Sequence, residues 1–531
     1  MTVETSSRAK AETIVAPLGV VVDQAVAAAG YQEDQLVAYD VASVSSGVAA
    51  AAELTRESSG GTDADADLAL VFAADVAADL AGRIAGRESL WGIDRALLDD
   101  IGAEVAAGRD PALLNRVAER VYRSREAGTR RLPQDLELVR DTFRRFAEER
   151  VVPVAQPIHR EDADIPQEIL DELSALGCFG LSIPAEYGGF AENGPDELLN
   201  MVLVTEELSR GSLGVAGSLI TRPEIIGTAI TRGGTEEQKK RWLPLIATGE
   251  KLCGVAVTEP DRGSDVASMT TSAVRDGDDW VLSGVKTWCT FAGRANYLLV
   301  LARTDPDRAA GHRGLSLFVL EKPSFAGHDW RMTQEGGGVI EGRAISTLGY
   351  RGMHSFEVRL DGWRVHGDSL IGMDEGLGRG FYLQMQAFAN ARLQTAARAV
   401  GVMQAAMELA LDYSAQRSVF KRPLAEYQLT RGKIARMAAF IAACRTFTHS
   451  TARAVVNHGG QLEAAQVKQL ACRAAEWVTR EAQQLHGGYG YAEEFPISRL
   501  FVDARVLSIF EGADEVLTLR VIARQLAAPR S

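Results

Sequence analysis

The sequence is poor in cysteine: five residues in 531, Cys178, Cys253, Cys289, Cys444 and Cys472. None belongs to a CxxC motif, and none is spaced with histidines in the way zinc ligands are. A disulfide framework is therefore excluded, no metal site is expected, and a reduced, cytoplasmic setting is predicted.

Basic residues are also in short supply, with 57 Lys and Arg against 71 Asp and Glu and a formal net charge of −14. A nucleic-acid surface needs a basic patch, so no nucleic-acid partner is expected. No apolar run approaches the ~20 residues of a membrane span, so no membrane contact is expected either. Residues 1–12 have charges of both signs and no apolar core, which is unlike a secretory signal.

The length suggests three to four domains, and the order of helix-like and strand-like segments along the chain predicts four regions. These are a helical N-terminal extension (1–131), a helical domain (132–250), a β domain (251–368) and a C-terminal helical bundle (369–531). The predicted fold class is thus α+β, mainly α, with an antiparallel sheet. Four helices are expected in the bundle, at about 376–418, 428–457, 462–486 and 499–528. The extension has no chemical motif, and we interpret it as a packing or assembly element.

Two segments of the β region have residue types that suit a planar ligand. Val257–Asp265 (VTEPDRGSD) offers hydroxyl and backbone groups to a polar ring or a phosphate, although a plain loop is the alternative. Gly284–Thr290 (GVKTWCT) places Trp288 and Thr290 two residues apart, on one strand face. The tryptophan could pack against a ring while the hydroxyl bonds it, although tryptophan is more often a core residue.

Two further segments lie in the bundle. Gln484–Tyr491 (QLHGGYGY) ends a helix with three glycines, which let a backbone approach a ligand closely. No GxGxxG motif lies between a strand and a helix, so a Rossmann site is not indicated. In Ile509–Glu515 (IFEGADE), Glu511 stands between an apolar run and a glycine. A surface glutamate is the alternative, but a carboxylate at the edge of an apolar pocket has a raised pKa and can act as a base near neutral pH.

In this order and spacing the four segments resemble the acyl-CoA dehydrogenase family, over about residues 132–528. The first family signature is present as Ala256–Glu259, Gly263–Asp265 and Ser268, with Arg262 where a small residue is usual. The second is complete, and consists of Gln484, Gly487, Gly488, Gly490, Tyr491, Glu494, Arg499 and Asp503.

The resemblance implies that FAD binds between the β domain and the bundle. The residues implied to contact it are Val257, Thr258, Gly263, Ser264, Trp288, Thr290, Arg417, Phe420, Gln484, Gly487, Gly488, Ala513 and Glu515. The segment around Arg417 and Phe420 and the glycine turn match the parts that reach the FAD of a neighbouring subunit, which implies a homodimer or homotetramer. Ala513 stands where threonine is usual, so one hydrogen bond to the flavin ribose is in doubt.

The resemblance also makes Glu511 the base that removes the proton next to an acyl-CoA thioester, while the flavin takes a hydride from the β-carbon. Some subfamilies have this base at the position of Ala391, which cannot serve here. The residues implied to contact the substrate are Ser264, Phe388, Arg392, Gly512 and Arg210. The reduced flavin would pass its electrons to an electron-transferring flavoprotein.

The extension, the EPDRGSD loop and the insertion Met332–Ser355 resemble the branch of the family that oxidises (2S)-methylsuccinyl-CoA to mesaconyl-CoA in the ethylmalonyl-CoA pathway. A buried distal carboxylate needs a cation, and we hypothesise that Arg210 provides it. Arg222 lies one helix face further on, and a structural role is the alternative for both. Other substrates (glutaryl-, isobutyryl- or butyryl-CoA), an oxygen-using oxidase and a non-catalytic assembly protein are the alternative functions.

Overall fold

The computed structural model describes residues 6–28, 34–191, 194, 196–458 and 460–528. The chain divides into two compact units, which are residues 1–142 with 395–531, and residues 143–394. We call them the first and the second unit. The bounds of the four domains suggested by the sequence stay a prediction.

The described residues of the N-terminal extension form seven helices, and side-chain caps start several of them. Asp34 and Asp110 accept hydrogen bonds from backbone N–H groups of the first helical turn, and Thr62 forms a capping box with Asp65. The helices are α1 (Ser7–Ala28), α2 (Gln35–Ser58), α3 (Asp63–Ile84), α4 (Glu88–Trp91), α5 (Ala96–Asp99), α6 (Gly102–Gly108) and α7 (Pro111–Ser124).

One expectation needs correction at α1, which is long and apolar enough, by length and composition, to cross a membrane. Its many alanines and valines raise the mean hydropathy without a long unbroken run of large side chains. The helix packs on α2 and α3, and one face is buried through Ile14, Leu18 and Val21. Within the first unit α1 therefore packs by one face on its neighbours.

Six α-helices follow before the sheet in the part of this region that the structure describes. A π-helical turn, Ala147–Val151, joins the first two. The last one begins at Thr235, whose hydroxyl accepts from Gln238 N (3.3 Å) while the Gln238 side chain accepts from Thr235 N (3.0 Å). The helices are α8 (Gln134–Phe146), α9 (Val152–Glu161), α10 (Gln167–Ala175), α11 (Glu197–Gly211), α12 (Thr221–Gly233) and α13 (Glu236–Ala247).

Eight strands form one sheet with the order β1-β4-β2-β3-β8-β7-β6, and β5 pairs with β4. Most neighbours are antiparallel, as predicted, but β4 pairs in parallel with β1 and β2, so the sheet is mixed. The strands are β1 (Cys253–Ala256), β2 (Ser272–Asp276), β3 (Asp279–Thr290), β4 (Tyr297–Arg303), β5 (Leu315–Glu321), β6 (Asp329–Thr333), β7 (Val339–Ile345) and β8 (Ser355–His366).

Alternate residues of β4 belong to two hydrophobic cores of the second unit. Leu299 and Leu301 pack with Trp242 of α13, whereas Leu298 and Val300 pack with residues of β3 and β8. Because successive side chains of a strand point to opposite faces, β4 is covered on both sides. This explains why its sequence, YLLVLAR, is an unbroken apolar run rather than an alternating one.

The C-terminal region has three long helices as predicted, but the fourth is broken. Residues 499–528 do not form one helix, because α17 ends at Leu507 and the chain restarts at Asp514 as a short helix that continues into a π-helical stretch, Leu517–Ala523. The elements are α14 (Gly380–Gln416), β9 (Ser418–Val419), β10 (Arg422–Pro423), α15 (Gln428–His458), α16 (Gln461–His486), α17 (Pro496–Leu507), α18 (Asp514–Val516) and α19 (Arg524–Leu526). In the first unit α2 and α3 pack on α15, and α2 also packs on α16 and on the π-helical stretch.

Candidate active site

Glu511 lies in the break between α17 and α18, which we call the Glu511 loop (Ser508–Ala513). Its backbone has φ +54°, in the left-handed region, and Gly512 follows with φ +103°. A side chain in this region strains the backbone, so neighbouring interactions must hold it there, and such strain clusters at functional sites. The loop is closed by a hydrogen bond from Asp514 N to Ser508 O of 3.1 Å.

The Glu511 carboxylate contacts two side chains of α14. Thr395 donates its hydroxyl to Oε2, and Nη2 of Arg398 lies 3.1 Å from Oε1 and 3.3 Å from Oε2. The Arg398 side chain is fully buried, that of Glu511 is 11% exposed, and the guanidinium lies over the ring of Phe510 at 5.2 Å. The carboxylate is therefore held by polar partners, not by the apolar pocket edge that the sequence suggested.

Sequence reasoning overlooked Arg398, although a signal was available. It is the one charged residue in the run Thr395–Met407 (TAARAVGVMQAAM). Charged side chains are rarely fully buried unless they are paired. Ala391, Thr395 and Arg398 are spaced four and three apart, so they share one face of α14. The position used for the base in some subfamilies thus lies on the same helix face as the partners of Glu511.

Two other elements hold the Glu511 loop. From α16, the buried Lys468 donates to Gly512 O at 2.7 Å. Arg473, also from α16, pairs with Asp514 at 2.9 Å, and Tyr39 of α2 donates to the same carboxylate oxygen at 2.5 Å. Burial, then the hydrogen bond to Asp514, raise the pKa of Tyr39 to about 12, against the opposing charge of Arg473. The hydroxyl therefore stays neutral and is a donor, and the extension contacts the chain three residues from Glu511.

The residues predicted to reach a neighbouring subunit's cofactor are on the surface of the first unit. Phe420 is 95% exposed, and Arg417 and Gln484 are also exposed. At Gly487 and Gly488 an added Cβ would meet nothing within 4 Å, so the backbone is open to a ligand. At the loop, Ala513 is the N-cap of α18 and Glu515 is exposed.

In the second unit, Val257 and Thr258 are fixed by a buried ion pair beneath them. Lys286 donates to Val257 O at 3.0 Å and to Glu259 Oε1 at 3.2 Å, and Thr287 N donates to Thr258 O at 2.9 Å. Burial alone would raise the pKa of Glu259, but Lys286 and the hydrogen bonds from Thr270 and Thr271 lower it to about 2. The first motif and the second are therefore brought together.

Trp288 and Thr290 do not share one strand face, which corrects the interpretation from strict alternation. The register between β3 and β8 shifts between Lys286 and Cys289, which marks a β-bulge, and Trp288 has φ +57°. As a result Trp288 is 56% exposed, whereas Thr290 is buried and its hydroxyl lies 2.9 Å from that of Ser355.

The other residues of the second unit that were predicted to contact the cofactor or substrate differ in their burial and in their partners. Gly263 and Ser264 are exposed, Phe388 packs partly buried against one of the cores, and Arg392 is half-buried. Arg210 is paired with Glu148 at 2.9 Å, so a carboxylate already occupies its guanidinium.

The sequence predicted no metal site, but the described residues contain one group able to hold an ion. The ligand atoms of Asp162, His328 and His354 lie within 4.8 Å of one another. The guanidinium of Arg351 is 3.7 Å from Oδ1 of Asp162, and His354 Nε2 is 3.1 Å from Asp164. Because a fixed cation already lies at this carboxylate, we describe the group as an ion-pair network.

Three models of one family match successive stretches of the chain. The descriptions are acyl-CoA dehydrogenase N-terminal domain for residues 133–250, middle domain for 254–362 and C-terminal domain for 378–527. A relative described as (2S)-methylsuccinyl-CoA dehydrogenase, from Cereibacter sphaeroides, is 43% identical over 449 residues, covering 82% of this chain and 79% of the relative. The chain belongs to the acyl-CoA dehydrogenase family. It is an oxidoreductase, and members of this family bind FAD.

Solved structures agree on the fold. A glutaryl-coenzyme A dehydrogenase in complex with glutaryl-CoA is 32% identical with TM-score 0.67, and the match covers 74% of this chain and 95% of that one. A glutaryl-CoA dehydrogenase from Mycobacterium smegmatis in complex with FADH2 is 28% identical with TM-score 0.65, covering 75% and 97%. The Cereibacter relative covers more of this chain than residues 133–531 contain, so that likeness extends into the N-terminal extension.

The residues present fit FAD. The exposed ring of Trp288 provides an apolar face, and the backbone of the preceding residue, Thr287, is bonded to Thr258 O. In the first unit, the open backbone at Gly487 and Gly488 suits a close approach by a phosphate or a sugar. Which of these residues contact the cofactor stays a prediction.

Glu259→Gln leaves the Lys286 ammonium buried without its partner, so we expect it to lower the free energy of unfolding by about 3–5 kcal/mol. A folded-state pKa of about 2, below the ordinary 4.5, gives stability that is present above pH 4.5 and lost as the pH falls towards 2. Urea titrations from pH 7 to 3 should show a steeper acid loss in wild type than in the variant. Asp361→Asn, which removes a mostly exposed partner of Arg359, should cost less than ~1 kcal/mol. Equal losses for the two variants would contradict the prediction.

Tyr39→Phe removes the hydroxyl that holds Asp514. A hydrogen bond to a charged group contributes ~1.5–3 kcal/mol, so we expect kcat to fall roughly tenfold as the Glu511 loop loosens. Tyr122→Phe is a matched control, since that hydroxyl also links the extension to the C-terminal helices, 2.7 Å from Ser414 Oγ. It should leave kcat near the wild-type value. A similar kcat in both variants would show that Tyr39 has no particular effect on the loop.

Proposed function

We propose that the protein oxidises (2S)-methylsuccinyl-CoA to mesaconyl-CoA. The observation that supports this most is the likeness to the Cereibacter enzyme, which extends into the N-terminal extension, whereas the matches to the two glutaryl-CoA dehydrogenase structures cover about the length of the three family domains. Tyr39 of the extension contacts Asp514, just after Glu511, and this contact links the extension to the proposed catalytic residue.

Glu511 is the proposed base. Its carboxylate takes the proton from the α-carbon, the bond electrons form the α,β double bond, and a hydride leaves the β-carbon. When bound, FAD supplies the oxidant that accepts this hydride. Glu511 lies in the break between α17 and α18 with a left-handed backbone, so its side chain is not part of a helix surface.

The remaining residues of the site are assigned to binding and orientation. The backbone N–H of Glu511 is proposed to stabilise the thioester oxygen as negative charge develops. Val257, Thr258, Trp288 and Thr290 are proposed to hold the flavin ring. Ala513 offers no hydroxyl to the ribose, so that part of the cofactor would have one protein hydrogen bond fewer.

For the distal carboxylate, Arg210 is now the weaker candidate because its guanidinium is paired with Glu148. Arg222 is buried at the start of α12 and donates to Ser218 O at 3.0 Å. A cation at this depth is better suited to a buried carboxylate than one that already has an acidic partner.

We also propose an electron-transferring flavoprotein as the electron acceptor, a place in the ethylmalonyl-CoA pathway and a cytoplasmic location. The five cysteines are free and buried, which suits a reducing compartment. A homodimer or homotetramer is proposed because Phe420 is almost fully exposed where the family likeness puts a contact to a neighbouring subunit's FAD.

Anaerobic mixing of the FAD-loaded protein with a panel of acyl-CoAs tests the substrate directly. We expect methylsuccinyl-CoA to bleach the flavin absorbance at least tenfold faster than glutaryl-, isobutyryl- or butyryl-CoA. The panel uses saturating substrate so that rates, not affinities, are compared. Faster bleaching by glutaryl-CoA would replace the proposal with glutaryl-CoA oxidation, and bleaching by none would remove dehydrogenase function.

Phe420→Ala tests the shared cofactor. Light scattering of the wild type should give at least the mass of a dimer. The variant should keep less FAD through gel filtration, because an aromatic contact from the second subunit is lost. Leu348→Ala, at another exposed apolar residue, should keep the wild-type FAD content. A wild-type protein that is monomeric and yet retains a full complement of bound FAD would contradict the proposal.

A further inference from the structure

Arg303, the last residue of β4, is a buried cation with an unusual set of partners. It is 8% exposed, and it forms no ion pair with the residues that the structure describes. Removing a charge from water is costly unless hydrogen bonds compensate for it. The guanidinium donates to three backbone carbonyls, from Nε to Met269 O at 3.2 Å, from Nη2 to Ala267 O at 2.9 Å and from Nη1 to Gly311 O at 3.2 Å. Arg303 therefore holds backbone segments where an acidic side chain would be the usual partner.

Two of these carbonyls belong to the segment that contains Ser264, which we call the Ser264 loop (257–271). They lie three and five residues after Ser264. The backbone N–H of Arg303 also donates to Thr271 O at 2.8 Å, where the loop ends. One residue of β4 is thus bonded to the second half of the Ser264 loop at three points.

Glu259 closes the Ser264 loop at its base. Its buried carboxylate accepts from Thr270 N at 2.8 Å and from Thr271 N at 2.7 Å. In addition, Glu259 N donates to Arg262 O at 3.2 Å, and Arg262 N donates to Glu259 O at 3.0 Å. Ser264 lies between these anchors and those of Arg303, is exposed, and forms no side-chain hydrogen bond with the residues that the structure describes. It therefore presents a hydroxyl on a loop that is fixed on both sides.

We infer that Arg303 is a positioning residue that fixes the Ser264 loop for the binding of FAD. The inference rests on the proposed function through one contact, that of the Ser264 hydroxyl with the diphosphate of FAD, and it does not depend on which acyl-CoA is oxidised. A planar guanidinium has donors in several directions, so it can bond to three carbonyls at once. Arg210 differs in this respect, because its guanidinium is paired with Glu148.

The physical effect of such a residue is preorganisation. A loop that is already held in its binding conformation loses little conformational freedom when a ligand arrives, whereas a loose loop has to be ordered first. Without the Arg303 side chain, the residues that follow Ser264 lose two anchors, and the hydroxyl is in place for only a fraction of the time. Arg303 thereby contributes to the affinity for FAD through the loop.

A double-mutant cycle of Arg303→Met with Ser264→Ala tests this inference. The readout is the rate at which the diluted holoenzyme releases FAD, followed by the rise in flavin fluorescence. In the wild-type background, Ser264→Ala should speed the release roughly tenfold, since a hydrogen bond to a charged group is lost. Arg303→Met should also speed it roughly tenfold. In that background Ser264→Ala should add less than about twofold, because the hydroxyl is no longer held in place.

Two further variants complete the cycle. Arg275→Met is the control at an exposed arginine of β2, the strand that follows the Ser264 loop. It should leave both the release of FAD and the effect of Ser264→Ala unchanged. Arg303→Lys keeps the charge and covers the case in which Arg303→Met does not fold. A compact ammonium cannot bond to all three carbonyls, so the effect of Ser264→Ala should fall to about threefold.

The coupling separates positioning from mere stabilisation of the fold. A structural role for Arg303 would lower the thermal midpoint and leave the effect of Ser264→Ala at its wild-type size. That result in both Arg303 variants would overturn the inference, and so would a wild type whose release of FAD is indifferent to Ser264→Ala. The measurement contains no acyl-CoA. A wild type that holds FAD but is not bleached by methylsuccinyl-CoA would therefore reject the proposed substrate and leave the role of Arg303 intact.

Discussion

The interaction on which the site depends is the contact of Glu511 with Arg398 and Thr395 on α14. A helix break sets the carboxylate at the end of a strained turn, and a buried guanidinium holds it there. Three further side chains of the first unit hold the same turn. Lys468 holds the carbonyl of Gly512, and Arg473 and Tyr39 hold Asp514, where the helix restarts.

This arrangement changes how the N-terminal extension is understood. From sequence it is a set of alanine-rich helices without a motif, and packing or assembly was the natural interpretation. In the structure α2 packs on α16 and on the π-helical stretch, and one of its tyrosines contacts the acid that follows the Glu511 loop. The extension therefore contributes to the support of the proposed base.

Much of the fold could be predicted from the sequence because period and turn residues act locally. The helices of the extension and bundle and the apolar runs of the β region follow from spacing, and two long motifs identified the family and its FAD. The break at Ser508–Ala513 was missed because apolar residues flank it on both sides and the helical period continues across it. The bulge at Trp288 was missed because it is a shift in register between β3 and β8. The pairing of these two strands cannot be read from the sequence of β3 alone.

Pairings between distant residues were beyond prediction. Arg398 and Glu511 are more than a hundred residues apart, and Tyr39 and Asp514 more than four hundred, so no local pattern relates them. The expected apolar surroundings of Glu511 were inferred from its neighbours in the chain, whereas its neighbours in space are a hydroxyl and a guanidinium. The ion pair of Arg210 with Glu148 is a similar case, since only the packing of α11 on the turn before α9 brings them together.

The central claim is that the carboxylate at position 511 removes the α-proton. Rapid anaerobic mixing of Glu511→Gln, loaded with FAD to the wild-type level, with methylsuccinyl-CoA tests it most directly. We expect that the acyl-CoA still binds and perturbs the flavin spectrum, while flavin reduction slows by at least a thousandfold, as when a general base is removed. Reduction at the wild-type rate would contradict it.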